Sequence, residues 1–157
     1  MRAVHMTLDI ARRIAAWRYD PPCDMYDMGG SGDLTELLNG QYAAIADDTG
    51  EVIGFCCFGT SAQVSAGHSA GAYENLSQIT VDAGLGMRPD LTGRGFGGAF
   101  LAFVLQVLEV RHQGVAARLT VAAFNHRAIR LYERFGFRRT AGFLRGDAQF
   151  IVMVRTL

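Results

Sequence analysis

The sequence contains no lysine, so all fifteen of its Lys-or-Arg positions are arginine. A phosphate-binding loop of the Walker type ends in Lys-Ser or Lys-Thr, and the absence of lysine excludes that class. Long apolar runs are also missing. The longest, residues 99–105, is far shorter than the roughly 20 residues that a membrane-spanning helix needs, so we expect no association with a membrane.

Cysteine and histidine are scarce, and neither forms a metal-binding or redox motif. The cysteines at 23, 56 and 57 include no CxxC spacing, and the histidines at 5, 68, 112 and 126 are scattered. Metal sites in proteins usually show closely spaced ligands of these types. The sequence therefore predicts no metal ion and chemically inert cysteines.

The length and the 50% apolar content predict one domain over residues 1–157. The N-terminal segment carries Asp9, Arg12 and Arg13, where a secretory signal requires an uninterrupted apolar stretch. We therefore expect no targeting segment and a cytoplasmic location.

Charge is distributed unevenly along the chain, although the formal net charge is zero. Residues 19–87, the acidic segment, contain ten carboxylates and no arginine, whereas residues 88–157 contain eleven arginines and four carboxylates. A solvated surface of mixed sign accounts for such charges as readily as the binding of an anion by the arginine-rich part. Charge alone leaves both interpretations open.

Apolar periodicity, caps and glycines predict the order of secondary structure. Two helices come first, two strands joined by a hairpin follow, and a Gly-, Ser- and Ala-rich loop precedes the remaining elements. The order predicts a mixed α/β sheet with helices on both faces. The predicted ranges are helices 7–17 and 33–38, strands 42–46 and 52–58, a loop over 59–73, a strand over 76–87, a helix over 96–111, a strand over 115–122, a helix from 125 to Gly136, and strands 137–144 and 149–154.

Four glycines lie within residues 93–98, between a predicted strand and the most apolar helix. Glycines let the backbone approach a ligand, and free N–H groups at a helix N-terminus bind anions, so we expect a phosphate or pyrophosphate here. A flexible turn is the simpler alternative. The dinucleotide pattern GxGxxG is matched by Gly93, Gly95 and Gly98, but Pro89 interrupts the strand and no acid follows at the required distance.

Residues 85–97 resemble motif A of the GNAT superfamily, a strand, a proline turn and then [QR]xxGxG[GA]. Gly95 and Gly97 hold the two glycine places, and Thr92 stands where Gln or Arg is usual. Residues 121–137 are similar to motif B in their Asn, Ala, Tyr and Gly-Phe pattern. The resemblance covers residues 76–144 closely, and the N-terminal third matches in its order of elements.

This resemblance implies a mixed, mostly antiparallel GNAT-like acyltransferase fold that uses acetyl-CoA as co-substrate. Its pantetheine arm would lie between residues 85–87 and 119–122. The segment 93–98, called the glycine loop below, would hold the pyrophosphate. The acetyl group would pass by direct attack to a primary amine. The implied CoA-binding residues are Leu85, Met87, Thr92, Gly93, Arg94, Gly95, Gly97, Gly98, Asn125 and Arg130.

The resemblance also suggests how protons move in the reaction. Tyr132 matches the family's tyrosine acid, which would protonate the departing thiolate, although packing alone also accounts for it. Some members that acetylate protein N-termini carry Glu where this chain has Thr120, so that base does not carry over. Asp82 is the remaining candidate base, with a water-mediated route as the alternative.

In this family the first helices and the loop after the third strand usually form the acceptor wall. Trp17, Tyr19 and Tyr26, with the acidic segment around them, are therefore the candidate contacts for a cationic small-molecule or peptide amine. We expect no nucleic-acid partner. Dimers are common in this family, so a homodimer is compatible with the resemblance. The competing functions are a CoA-binding regulatory protein of the same fold without turnover and, more distantly, a nucleotide-binding module.

Overall fold

The computed structural model describes residues 1–29, 32–74 and 79–156. Within them, the elements follow one another as strand, helix, two strands, helix, strand, helix, strand, helix and two strands. Their bounds are β1 (Arg2–His5), α1 (Leu8–Ala15), β2 (Tyr42–Ala46), β3 (Val52–Phe58), α2 (Ser65–Ser69), β4 (Thr80–Met87), α3 (Gly97–Arg111), β5 (Ala116–Ala122), α4 (His126–Arg134), β6 (Arg138–Arg145) and β7 (Ala148–Arg155).

The strands form a seven-stranded sheet in the order β1-β2-β3-β4-β5-β7-β6. β1 with β2, β2 with β3, β5 with β7, and β6 with β7 are antiparallel. β4 and β5 are parallel, with a register that runs from Thr80 opposite Ala116 to Asp82 opposite Arg118. The predicted class, a mixed and mostly antiparallel α/β sheet with helices, is confirmed.

Local sequence signals placed most boundaries within one or two residues. Thr7 caps α1 by accepting a hydrogen bond from the Ile10 N–H at 3.3 Å, and Asn125 caps α4 in the same way. Gly50, in the β2–β3 hairpin, has a φ of 92°, a conformation that glycine adopts without strain. α1 ends at Ala15 rather than near Trp17, and the Arg18 guanidinium donates to the Ala15 and Trp17 carbonyls at this end.

Three predictions about secondary structure were wrong. β1 was not foreseen, since four residues between the N-terminus and a helix cap give no clear alternation. The predicted helix over 33–38 is a turn, because the carboxylate of Glu36 accepts the Tyr42 hydroxyl at 2.7 Å instead of closing a capping box. The segment 59–73, predicted as a loop, contains α2 and a short 3-10 helix, Gly59–Ala62. The predicted strand start at residues 76–78 lies outside the described residues.

The apolar face of α3 also differs from its prediction. Phe100, Val104 and Leu108 are buried as expected, but Phe96 precedes the helix and is 51% exposed. Leu101, which the spacing did not select, is fully buried. Nearly every position of α3 is apolar, so spacing alone did not select the buried face.

The described chain divides into two compact units that alternate along the sequence. The first unit comprises Met1–Cys57 and Leu85–Val104, and its core includes Ile14, Ile45 and Leu101. The second comprises Phe58–Gly84 and Leu105–Leu157, and its core includes Leu119, Phe137 and Met153. The expected single domain stays a prediction.

None of the helices in the described ranges is long and apolar enough to cross a bilayer. The same residues contain no group of three or more His, Cys, Asp or Glu side chains that could hold a metal ion.

Candidate active site

The glycine loop of the first unit follows a 3-10 turn at Pro89–Leu91 and leads directly into α3. Gly93 and Gly95 have φ values of 73° and 87°, in the left-handed region that residues with a Cβ rarely adopt. The loop that leads to the start of α3 therefore needs glycine at both positions. Neither position carries a side chain that could stand between the backbone and a ligand.

The start of α3 offers N–H groups to a ligand. Phe100 N donates to Phe96 O at 3.0 Å, so the N–H groups of Gly97, Gly98 and Ala99 belong to the first turn, which an α-helix leaves without internal acceptors. A Cβ added at Gly95 or at Gly98 would meet no atom within 4 Å. Open space beside several N–H groups and a helix N-terminus fits a phosphate or pyrophosphate group.

The turn before the loop is fixed by side chains. The Arg88 guanidinium binds the Asp90 carboxylate through two hydrogen bonds, of 2.7 and 3.2 Å, and holds the pKa of that carboxyl below its usual value. Arg88 also donates to the Val52 carbonyl of β3. The Thr92 hydroxyl donates to the Pro89 carbonyl at 2.8 Å, so it serves the turn itself. Arg94 is exposed, with its guanidinium 6.0 Å from the Phe96 ring centroid.

Aromatic side chains predicted to contact the acceptor lie in the same unit. The Tyr19 hydroxyl donates to the Met87 carbonyl of β4 at 2.8 Å, and its backbone N–H donates to Asp27. Burial, and next the Asp27 charge, raise the pKa of the Tyr19 phenol, so it stays protonated at neutral pH. Trp17 stacks on Phe55 at a centroid distance of 6.3 Å. Tyr26 is half-buried on a 3-10 helix, as Leu85 is on β4.

In the second unit, Asp82 lies in a buried ion pair. Arg118, its cross-strand neighbour, donates to both carboxylate oxygens at 2.6 Å, and the two residues are 4% and 5% exposed. The Gln63 amide donates to the same carboxylate at 2.7 Å. Protonating Asp82 would leave Arg118 buried without a counter-charge, which is costly. These surroundings suit a structural ion pair better than the proton acceptor that the sequence suggested.

Tyr73 joins this ion pair to Thr120. The Arg118 guanidinium lies 4.8 Å from the Tyr73 ring centroid and donates to the Tyr73 carbonyl at 3.0 Å. The Tyr73 hydroxyl accepts from the Val64 N–H at 2.9 Å and lies 3.0 Å from the Thr120 hydroxyl. Sequence reasoning missed Tyr73 and Gln63, because both belong to the segment that was predicted as a loop.

Helix α4 carries the other predicted residues of the second unit. The Asn125 carbonyl oxygen accepts from the Ala128 N–H at 3.1 Å and thereby caps the helix. Tyr132 is 9% exposed, and its ring packs against Phe137 at a centroid distance of 6.0 Å. Arg130 is exposed. The helix thus combines a buried tyrosine with an exposed arginine.

The predicted residues therefore fall into two groups. Leu85, Met87, the glycine loop and the three aromatic residues belong to the first unit, whereas Asp82, Asn125, Arg130 and Tyr132 belong to the second. A glycine loop before a helix, together with a mixed and mostly antiparallel sheet, is the arrangement that the resemblance implied for an acyl-CoA-dependent transferase.

Comparison with known proteins gives the family. Residues 10–137 match the acetyltransferase (GNAT) family, and this chain belongs to it. The mycothiol acetyltransferase of Acidimicrobium ferrooxidans is 30% identical over 138 residues, which cover 83% of this chain and 38% of that protein. The chain thus spans well under half of that relative's length.

Solved structures agree in fold. The structure of AAC(6')-Ib in complex with ribostamycin and coenzyme A has a TM-score of 0.70 and 20% identity, covering 98% of this chain and 92% of that one. A GNAT-family acetyltransferase from Bacillus anthracis has a TM-score of 0.67 and 11% identity, covering 98% and 93%. At such identities the similarity establishes the fold alone.

Proposed function

We propose that this chain transfers the acetyl group of acetyl-CoA to a primary amine by direct attack. The observation that carries the proposal is the glycine loop: Gly93 and Gly95 at positive φ, open space beside Gly95 and Gly98, and the first-turn N–H groups of α3. Each of these features suits a pyrophosphate, and family membership makes CoA its expected source.

The reaction needs a neutral amine. Its nitrogen attacks the thioester carbonyl carbon, a C–N bond forms, and the C–S bond breaks with its electron pair leaving on sulfur. The nitrogen loses one proton and the sulfur gains one. We propose that the Tyr132 phenol donates the proton that the sulfur gains. The phenol then returns to its protonated form by taking a proton from solvent.

For the proton leaving nitrogen, we favour transfer to water over transfer to Asp82. Both carboxylate oxygens of Asp82 already accept hydrogen bonds from Arg118 or Gln63, and the residue is almost wholly buried. Water is the other route that the sequence left open, and it needs no buried charge to be unpaired.

The acceptor is proposed to be cationic in solution, as a small-molecule or peptide amine is. Exposed carboxylates such as Asp20, Asp24 and Asp33 belong to the acidic segment, which contains no arginine. They would attract a cation at low salt. One of the fold neighbours is a spermidine N-acetyltransferase chimera, and its name specifies a polyamine as the acceptor of that protein.

An acceptor screen tests the proposal directly. Wild-type protein is incubated with acetyl-CoA and a panel of polyamines, aminoglycosides, amino acids and peptides, and free thiol is followed. We expect thiol release with at least one amine and, in a separate thermal-shift assay, stabilisation by acetyl-CoA but not by NAD or ATP. Stabilisation without release for any acceptor would favour the CoA-binding regulatory protein, and stabilisation by NAD would contradict the loop assignment.

A further inference from the structure

Thr120 is the exception in β5. The other six residues of this strand are buried, whereas Thr120 is partly exposed. It lies two residues beyond Arg118, so both side chains point to the same face of the sheet. Thr120 is therefore the position of β5 that is open to solvent.

The Thr120 hydroxyl belongs to a short chain of hydrogen bonds through Tyr73. The Val64 N–H can only donate, so the Tyr73 oxygen is an acceptor at 2.9 Å. The Tyr73 and Thr120 hydroxyls lie 3.0 Å apart, and either of them can be the donor in this contact. When Tyr73 donates, the Thr120 hydroxyl keeps its own proton for a further partner.

The ion pair keeps Tyr73 in this position. Arg118 donates to the Tyr73 carbonyl and stacks on its ring, and Asp82 holds Arg118 through two hydrogen bonds. From the other side, a Cβ at Gly67 would lie 2.6 Å from the Tyr73 ring, so the glycine permits α2 to pack directly on it. Tyr73 is thus held by its backbone, its ring and its hydroxyl.

We propose that Thr120 is a catalytic hydrogen-bond donor and that Tyr73 is its positioning residue. Resting on the proposed function, the inference is that the Thr120 hydroxyl donates to the negative charge that develops on the thioester oxygen as the amine attacks. A chain of donors that begins at a backbone N–H and ends at a hydroxyl proton suits an acceptor that gains charge, since each bond polarises the next.

Three variants test this assignment with the acceptor found in the screen. Thr120→Val keeps the shape and the strand propensity and removes the hydroxyl, so kcat should fall by about a hundredfold to a thousandfold. The acetyl-CoA affinity, the KM of the acceptor and the melting temperature should stay near wild type. Thr120→Ser, which restores the hydroxyl, should recover most of the activity. Thr140→Val removes a hydroxyl from β6, which β7 separates from β5, and should keep full activity.

Tyr73→Phe separates positioning from direct contact. It should lower kcat less than Thr120→Val, and the double variant should be no slower than Thr120→Val alone, because both changes interrupt one chain. An additive loss in the double variant would contradict the positioning role of Tyr73.

The outcomes separate this inference from the proposed function. If wild-type protein releases thiol and Thr120→Val is equally fast, the donor role is wrong and the proposed function stands. If Thr120→Val raises only the KM of the acceptor, the hydroxyl binds the amine instead, and the donor role is also wrong. If wild-type protein releases no thiol with any amine, the proposed function fails and this inference fails with it.

Discussion

Tyr132 combines burial with a position that motif B assigns to a catalytic acid. Its ring packs against Phe137, and such a contact would persist if the hydroxyl were removed. Replacement by phenylalanine therefore separates the packing role of the residue from its proposed proton transfer.

We expect Tyr132→Phe to lower turnover by about a hundredfold to ten-thousandfold, the usual contribution of a general acid. Acetyl-CoA affinity and melting temperature should change little, because binding does not need the proton. Steady-state kinetics and thermal unfolding check both. Tyr42→Phe is a matched control: it removes a buried hydroxyl bonded to Glu36, which should cost about 1 kcal/mol of stability and leave turnover unchanged. Full activity in Tyr132→Phe would mean that the residue only packs.

Asp82 was the sequence candidate for the base, and its ion pair with Arg118 gives it a structural role that is measurable. Asp82→Asn should lower the free energy of unfolding by about 3–5 kcal/mol, because it leaves the Arg118 charge buried and unpaired. Urea unfolding measures the loss.

An exposed ion pair provides the comparison. Asp90→Asn breaks the contact with Arg88 at the protein surface, where water replaces much of the interaction, so stability should change little. If Asp82→Asn were as stable as wild type but lacked turnover at every pH, Asp82 would be the base after all.

At the scale of elements, glycines decide how closely strands and helices approach. A Cβ at Gly54 of β3 would lie 2.3 Å from the Phe100 ring of α3 and 2.6 Å from the Gly86 carbonyl, and one at Gly86 would lie 2.4 Å from the Phe55 ring. Glycine at both positions therefore lets aromatic side chains pack directly on the strands of the first unit. The same residue type has another role at the start of α3, where the space beside it is open.

That difference makes Gly98→Asp informative. A Cβ at this position meets no atom within 4 Å, and a carboxylate in the first turn of a helix is favourable, so the free protein should remain stable. The carboxylate would, however, repel a pyrophosphate. Stabilisation by acetyl-CoA, which is about 2.7 kcal/mol at a hundred times Kd for wild type, should vanish. Thermal shift with and without acetyl-CoA measures it.

Gly98→Ala is the control for this variant. It adds the Cβ without charge and should keep most of the acetyl-CoA stabilisation. A full shift in Gly98→Asp would place the pyrophosphate elsewhere.

For the molecule as a whole, charge asymmetry is the property with a functional consequence. Ten carboxylates and no arginine in residues 19–87 produce a negative field, whereas eleven arginines in residues 88–157 favour an anion such as CoA. Apart from Asp82 and Arg118, which are buried against each other, these groups are mostly at the surface, so both effects are screened by salt.

We expect the KM of a cationic acceptor to rise as salt increases from about 0.01 M to about 0.3 M, because the Debye length falls from about 30 Å to well under 10 Å over this range. The KM of a neutral acceptor of similar size should change less, and kcat should be nearly constant for both. Kinetics across a salt series make the comparison. Turnover confined to neutral or anionic acceptors would contradict the assignment of a cationic substrate.

The sequence by itself determined the order of elements from β4 onward, most of the bounds of the elements that it predicted, and the family. Caps such as Thr7 and Asn125, turn glycines such as Gly50 and Gly136, and the glycine loop act through their nearest neighbours in the chain. Interactions between near neighbours in the chain can be predicted from a short stretch of sequence. The two family motifs could be recognised for the same reason, because each occupies one continuous stretch of sequence.

Only the tertiary structure decided which distant side chains meet. Arg118 lies 36 residues from Asp82, and Thr120 lies 47 residues from Tyr73, so neither pair has a spacing that the sequence reveals. The buried face of α3 was likewise settled by packing, because nearly every position of that helix is apolar. The assignment of Asp82 changed for this reason: a carboxylate's role depends on the charges that surround it, and strand pairing placed an arginine beside this one.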